Sequence, residues 1–183
     1  MFINRWSPRS LTNEAVPHDV LMTILEAGRW APSAYNAQPW RFIYALRGGQ
    51  GWDGIFAAIN EGNQSWVHRA GALVVIASAK QALFPGKTEL APNAWHSFDT
   101  GSAWMSMALQ AVECGWAAHA LAGFDPVKLR ASIHLPDDYA IDAVMVIGKQ
   151  DLHRSSITLE TVRHSQADHL SDQFRLEGKG NVL

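Results

Sequence analysis

Cysteine and charge are both scarce in this chain. Cys114 is the single cysteine among 183 residues, which excludes an intrachain disulfide and a cysteine metal cluster. Charged residues make up 17% of the chain and the net charge is -2. The sequence therefore lacks the basic stripe that is typical of nucleic-acid binding, and we expect no nucleic-acid partner.

Long apolar runs are missing as well. The longest strongly apolar stretch, residues 70–79, is far too short to span a bilayer as a helix. The N-terminus shows no cationic segment followed by an apolar run and a cleavage site, which is the pattern of a signal peptide. We therefore expect a cytoplasmic protein with no membrane partner.

Several motifs that carry chemistry are absent from the sequence. There is no Gly-x-Gly-x-x-Gly after a strand, no Walker loop and no Gly-x-Ser-x-Gly elbow. The eight histidines show no metal-ligand spacing, and each is interpreted as a surface or capping residue. We expect no metal and no catalytic side chain, because a cofactor can supply the chemistry that such a chain lacks.

The length and the hydrophobic pattern predict one domain, residues 1–183, with a polar C-terminal tail over about 161–183. Helical spacing of apolar residues predicts helices over 17–30 and 99–114, and helical pieces over 52–68 that break near Gly62. Apolar, β-branched runs predict strands over 41–47, 72–79, 116–121 and 140–148. The stretch 81–95 is predicted to be a loop or lid, because it contains two prolines and a glycine.

The helix predicted over 99–114 is unusually apolar. One narrow stripe of it is polar, and this stripe consists of Ser102, Ser106, Gln110 and Glu113. A helix that is apolar over most of its circumference is buried on most sides. In so short a chain, this pattern predicts packing against a second subunit as well as against the chain's own sheet.

Two short motifs near the N-terminus are the most informative. In Arg5-Trp6-Ser7-Pro8-Arg9, the cations and the hydroxyl occupy alternate positions, which share one face in an extended backbone. Such converging donors suit a phosphate or the electron-rich edge of a heterocycle, because guanidinium forms charge-assisted bonds to both. The second motif, Ala31-Pro32-Ser33-Ala34-Tyr35-Asn36-Ala37-Gln38-Pro39-Trp40, reads as a helix end, a polar loop and the start of a strand.

With these motifs, the sequence resembles the nitroreductase family of flavin mononucleotide (FMN) oxidoreductases. The resemblance implies an α+β fold of three layers, α-β-α, with a mostly antiparallel central sheet between helices. It also implies an intertwined homodimer. The implied reaction passes electrons from NADH or NADPH through flavin N5 to a small acceptor such as a nitroaromatic or a quinone, in ping-pong order.

The resemblance assigns residues to FMN block by block. The first block, Arg5 to Arg9, would bind the cofactor and includes Trp6. Within it, Arg5 and Ser7 would hold the phosphate, and Arg9 would stabilise the reduced flavin at its N1/O2 edge. Pro32, Ser33 and Asn36 would reach the flavin held by the other subunit, where Ala34 offers only a backbone contact. The remaining implied contacts are Asn63 at the pyrimidine edge, a backbone N–H of Ala122 or Gly123 at N5, and Arg154, or less well Arg163, at the phosphate.

Three other functions remain open from the sequence. The same binding residues would serve a flavin carrier or sensor without turnover. The scaffold would also suit a different reductase or dehydrogenase reaction, because relatives differ mainly in the loop over the flavin. The eight tryptophans would allow an interaction module without a cofactor.

Overall fold

A central antiparallel sheet organises residues 2–152, the part of the chain that the computed structural model describes. The strands are β1 (Trp40–Leu46), β2 (Ala72–Ala79), β3 (Gln81–Ala82), β4 (Ala91–Pro92), β5 (Ala117–Leu121) and β6 (Tyr139–Gly148). Four of them form the sheet in the order β1-β2-β6-β5, and every neighbouring pair is antiparallel. The strands β3 and β4 pair separately.

Within residues 2–152, five α-helices cover this sheet. They are α1 (His18–Arg29), α2 (Trp52–Ala58), α3 (Glu61–Val67), α4 (His96–Glu113) and α5 (Pro126–Ser132). The start of α5 follows from its sequence, because Asp125 accepts hydrogen bonds from the amides of Val127 and Lys128 while Pro126 needs no partner. None of the helices within residues 2–152 is both long and apolar enough to cross a membrane.

The central strand β2 explains the three layers. Its residues are buried on both faces, and successive side chains point to opposite sides of the sheet. Val74 and Ile76 pack in one core with α1 and α4, whereas Leu73 and Val75 pack in a second core with α2, α3 and α5. The expected α+β fold with a central antiparallel sheet between helices is confirmed.

Close contact between α1 and α4 depends on Gly28. A Cβ atom at this position would lie 2.8 Å from Met107 Cγ and 2.9 Å from Phe42 Cζ. The missing side chain therefore lets α1 approach the buried face of α4 and the edge strand β1. Contacts divide the chain into residues 1–150 and 151–183, and the features described below lie in the first unit.

Two predicted boundaries differ from the structure. The break between α2 and α3 lies at Ile59 and Asn60 rather than near Gly62, because the Gln64 side chain donates to the carbonyls of Phe56 and Ile59 and closes the end of α2. The predicted loop 81–95 contains the short β3–β4 pair. The predicted strand 72–79 coincides with β2.

Candidate functional site

The segment Arg5–Arg9 presents donors on one side. Arg5 Nη1 donates to Ser7 Oγ over 3.2 Å, so the guanidinium and the hydroxyl lie side by side. Trp6 Nε1, between them in the chain, instead donates to Gln150 Oε1 over 3.0 Å. Arg9 is exposed. The segment thus anchors itself through Trp6 and leaves cationic and hydroxyl donors available for a ligand.

The ring of His119 on β5 packs against this segment. Its Nδ1 lies 3.1 Å from the carbonyl oxygen of Pro8, and its ring contacts the Trp66 ring with the centroids 4.7 Å apart. Burial lowers the pKa of His119, and the positive charges of Arg9 and Arg5 lower it further. The hydrogen bonds to Pro8 and Ser7 raise this pKa, but the net shift is downward. The charges of both arginines therefore act on the same group, the His119 imidazole.

His119 was missed by the sequence analysis, which interpreted every histidine as a surface or capping residue. That interpretation is wrong here because β5 is an edge strand covered by the N-terminal segment, and the ring is half-buried beneath it. One signal was available. His119 is the only polar residue within the stretch 116–122, and it stands three residues before the predicted flavin turn.

The turn that follows β5 is held against α3. Gly123 accepts hydrogen bonds from the amide of Asn60 at 2.9 Å and from Asn63 Nδ2 at 3.3 Å. A Cβ atom at Gly123 would lie only 2.4 Å from Asn63 Nδ2, so a side chain at this position would displace the Asn63 amide. Ala122 is exposed beside it. The structure thus brings three of the predicted residues, Asn63, Ala122 and Gly123, to one place.

The loop between α1 and β1 is fastened to other parts of the chain. The amide of Ala34 donates to Asp99 Oδ2 over 3.1 Å, and Ser33 Oγ accepts from the amide of Gln38 over 2.9 Å. The Tyr35 ring lies edge-on to that of Phe84. Asp99 is buried at the start of α4, so one carboxylate fixes the position of this loop.

Backbone strain is concentrated in the same loop. Tyr35, Asn36 and Gln38 have φ values of 53°, 56° and 47°, in the left-handed region that favours glycine. Such residues persist where the surrounding structure determines them, and they are common at ligand sites. Pro32 and Asn36 are exposed on the loop, where they are accessible to a ligand or another chain.

The predicted residues fall into two groups at opposite edges of the sheet. The segment 5–9, Asn63 and the turn 122–123 lie along the β5 edge, whereas the loop 31–39 leads into β1 at the other edge. Three strand spacings separate the edges, or about 14 Å. Arg154 and Arg163 lie outside the described residues.

The donor set of the first group suits an anionic phosphate more than a metal. Guanidinium and hydroxyl groups donate to phosphate oxygens. Among residues 2–152, no cluster of three His, Cys, Asp or Glu side chains is arranged to hold a metal ion.

Comparisons with known proteins find chains of similar sequence and fold. A solved structure described as an oxidoreductase containing FMN is 32% identical, with a TM-score of 0.81, and the match covers 100% of this chain and 92% of that one. A nitroreductase family protein from Clostridium difficile 630 is 23% identical with a TM-score of 0.75, covering 97% and 96% of the two chains. The second match shows the fold alone.

A curated protein is also similar. It is named NADH dehydrogenase, from Thermus thermophilus, and it is 27% identical over 175 residues, which cover 80% of this chain and 83% of that protein. The family model described as "Nitroreductase family" matches residues 3–60 and 48–149, which together make up more than half of the chain. The predicted resemblance is confirmed: this chain belongs to the nitroreductase family.

Proposed function

We propose that this protein is an FMN-dependent oxidoreductase that passes electrons from NADH or NADPH to a small acceptor such as a nitroaromatic or a quinone. Family membership and the relatives named as an FMN-containing oxidoreductase and an NADH dehydrogenase support this proposal. The observation that carries it is the convergence of Arg5, Ser7, Asn63 and Gly123 along the β5 edge. Bound FMN would supply the two-electron chemistry that the side chains lack.

The phosphate end of the cofactor fits the N-terminal segment. Arg5 and Ser7 already lie side by side at 3.2 Å, so a phosphate can replace their mutual contact with bonds to both. Arg9 adds a second cation two residues beyond Ser7. In this proposal Arg9 stabilises the negative charge that the reduced flavin carries at its N1/O2 edge, and Arg154 adds a further cation at the phosphate.

The isoalloxazine end fits the turn after β5. The conformation of this turn is fixed before a ligand arrives, because Asn60 and Asn63 both donate to the Gly123 carbonyl. A preorganised turn can present a backbone N–H of Ala122 or Gly123 to flavin N5 without further ordering cost. No side chain acts as nucleophile, general acid or general base in this proposal.

The loop 31–39 serves the site of a second chain in this proposal. It leads into β1, about 14 Å across the sheet from the β5 edge, which favours contact of Pro32, Ser33, Ala34 and Asn36 with the partner's flavin rather than with the flavin of their own chain. The helix α4 offers an apolar surface for that partner, because Phe98 and Met105 are 74% and 40% exposed on it. We therefore propose a homodimer in which the whole chain, 1–183, acts as one FMN-binding domain.

An absorbance spectrum tests the proposed function most directly. The purified protein should bind FMN and be yellow, and anaerobic NADH or NADPH should bleach it until an acceptor restores the colour. A yellow protein that neither nucleotide bleaches would be a carrier or sensor. A protein that stays colourless with added FMN would disprove flavin binding altogether.

The phosphate assignment is tested by Arg5→Ala. Losing one charge-assisted hydrogen bond costs about 1.5–3 kcal/mol, so FMN affinity should fall about tenfold to a hundredfold. Affinity for riboflavin, which lacks the phosphate, should not change. The matched control is Arg29→Ala, which removes an exposed arginine from α1. An equal loss of FMN affinity in both variants, or an equal loss for riboflavin, would contradict the assignment.

A further inference from the structure

We propose that His119 couples cofactor binding to proton uptake: when a phosphate group binds at Arg5 and Ser7, the His119 imidazole gains a proton. The inference rests on the proposed function, because the phosphate is that of FMN. In this proposal His119 is a positioning residue, and its protonation responds to the charge of the bound phosphate.

The His119 imidazole contacts the N-terminal segment 5–9 at Pro8. A carbonyl oxygen only accepts hydrogen bonds, so His119 Nδ1, at 3.1 Å from the Pro8 oxygen, carries the hydrogen. Pro8 is buried and stands between Ser7 and Arg9. The ring therefore binds the segment at the residue that follows Ser7, next to the side chains assigned to the phosphate.

The surroundings of the ring contain cations and apolar groups. The N-terminal segment contributes Arg5 and Arg9, α3 contributes the Trp66 ring at 4.7 Å, and β6 contributes Val146 as the cross-strand partner of His119. Among the described residues, the charges that act on His119 are those of Arg9 and Arg5. With burial, these two charges favour the neutral imidazole when no anion is bound.

A bound phosphate changes this balance. Its negative charge attracts a protonated imidazole and offsets part of the repulsion from the guanidinium groups, whereas the larger effect of burial remains. Because linkage is reciprocal, an anion that raises the proton affinity of His119 binds more tightly when His119 is protonated. The contribution of His119 to FMN affinity should therefore rise as the pH falls through the range in which His119 titrates.

The phosphate group titrates in the opposite direction. Its second pKa is about 6, and cations that favour the dianion make it release a proton on binding. The contribution of His119 must therefore be measured as a difference between proteins. His119→Asn suits this purpose, because the amide nitrogen of asparagine can donate to the Pro8 carbonyl in place of Nδ1 but does not titrate.

Isothermal titration of FMN into the cofactor-free full chain, in two buffers of different ionisation enthalpy near pH 6.5, counts the protons. The wild type should take up more protons per FMN than His119→Asn, by about one proton at most. Riboflavin should show no such difference. Equal proton counts for the two proteins with FMN would overturn the proposal, and so would an equal difference with riboflavin.

A second measurement requires no variant. Nitrogen NMR of the imidazole should show a higher pKa for His119 with FMN bound than without it, and an unchanged or lower value would overturn the coupling. Failure of the proposed function looks different, because the wild type would then bind neither FMN nor riboflavin.

Discussion

Replacing Gly123 with alanine tests whether Asn63 holds the turn after β5. The new methyl group would lie 2.4 Å from Asn63 Nδ2, so the amide must move and give up the bond that it donates to the Gly123 carbonyl at 3.3 Å. The φ angle of Gly123 lies outside the left-handed region. The substitution therefore acts through this contact and introduces no backbone strain of its own.

The size of the effect depends on the residue at position 63. With Asn63 present, Gly123→Ala loses a hydrogen bond of about 1 kcal/mol. In the Asn63→Ala background the nearest remaining group is Asn60 Nδ2, at an ordinary contact distance of 3.5 Å. There the substitution should stabilise the protein by about 0.4–1 kcal/mol, because alanine restricts the unfolded chain. The effect of alanine on the unfolded chain is the same in both backgrounds and cancels in the cycle, so the expected coupling is the lost hydrogen bond, about 1 kcal/mol.

Urea unfolding of the wild type, both single variants and the double variant measures this coupling. The change in helix propensity caused by Asn63→Ala cancels in the cycle. Gly62→Ala is the matched control, because a Cβ atom at Gly62 meets nothing within 4 Å and should change stability equally in both backgrounds. The reasoning is refuted if Gly123→Ala also changes stability equally in both.

Two further predictions concern the neighbouring elements. Asp125 Oδ1 accepts hydrogen bonds from the amides of Val127 and Lys128 at 3.0 and 3.1 Å, so Asp125→Ala should cost about 1 kcal/mol of stability in thermal unfolding. Asp125→Asn should cost less, because asparagine can also cap a helix. Equal losses in the two variants would contradict the role of Asp125 as a helix cap. Burial and the neighbouring arginines hold the pKa of His119 below its ordinary 6.5, so the unfolded chain binds more protons as the pH falls through that value. The cofactor-free wild type should lose stability on acidification more steeply than His119→Asn, and parallel pH profiles would show that His119 is not responsible.

Much of the fold could be predicted because its signals are local. The run 72–79 is apolar at every position but Ser78, and a continuous run of this length indicates a strand buried on both faces, as β2 is. The start of α5 was predictable for the same reason, since a cap and a proline are adjacent in sequence. Boundaries set by side chains from elsewhere, such as Gln64 at the end of α2, were not.

The site was predictable only in part. The alternation of Arg5, Ser7 and Arg9 is visible in five residues, and it predicted that the Arg5 and Ser7 side chains meet. The support beneath them comes from His119, 111 residues away from Pro8. No local pattern shows such a partner, because it depends on which strand forms the sheet edge and on what covers that edge.

Strand register sets a similar limit near the start of α4. The pairing of β2 with β6 shifts between Ile76 and Ala77, which leaves Asp142 as an extra residue in β6. Its Oδ1 accepts a hydrogen bond from Ser97 Oγ at 2.6 Å. Because a shift of one residue exchanges the two faces of a strand, the sequence alone did not indicate that these side chains meet.

The loop 31–39 shows how such distant contacts hold a strained site together. Each of its three non-glycine residues with positive φ costs about 1–3 kcal/mol. Hydrogen bonds of Gln38 to Ser33 and Asn36 inside the loop offset part of this cost. Asp99, which is 65 residues from Ala34 and accepts the amide of that residue, and Phe84 against Tyr35 add stabilising contacts from elsewhere in the chain. Because α4 carries Asp99, the helix that we propose as the partner-facing surface also fixes the loop that we propose to reach the partner's flavin.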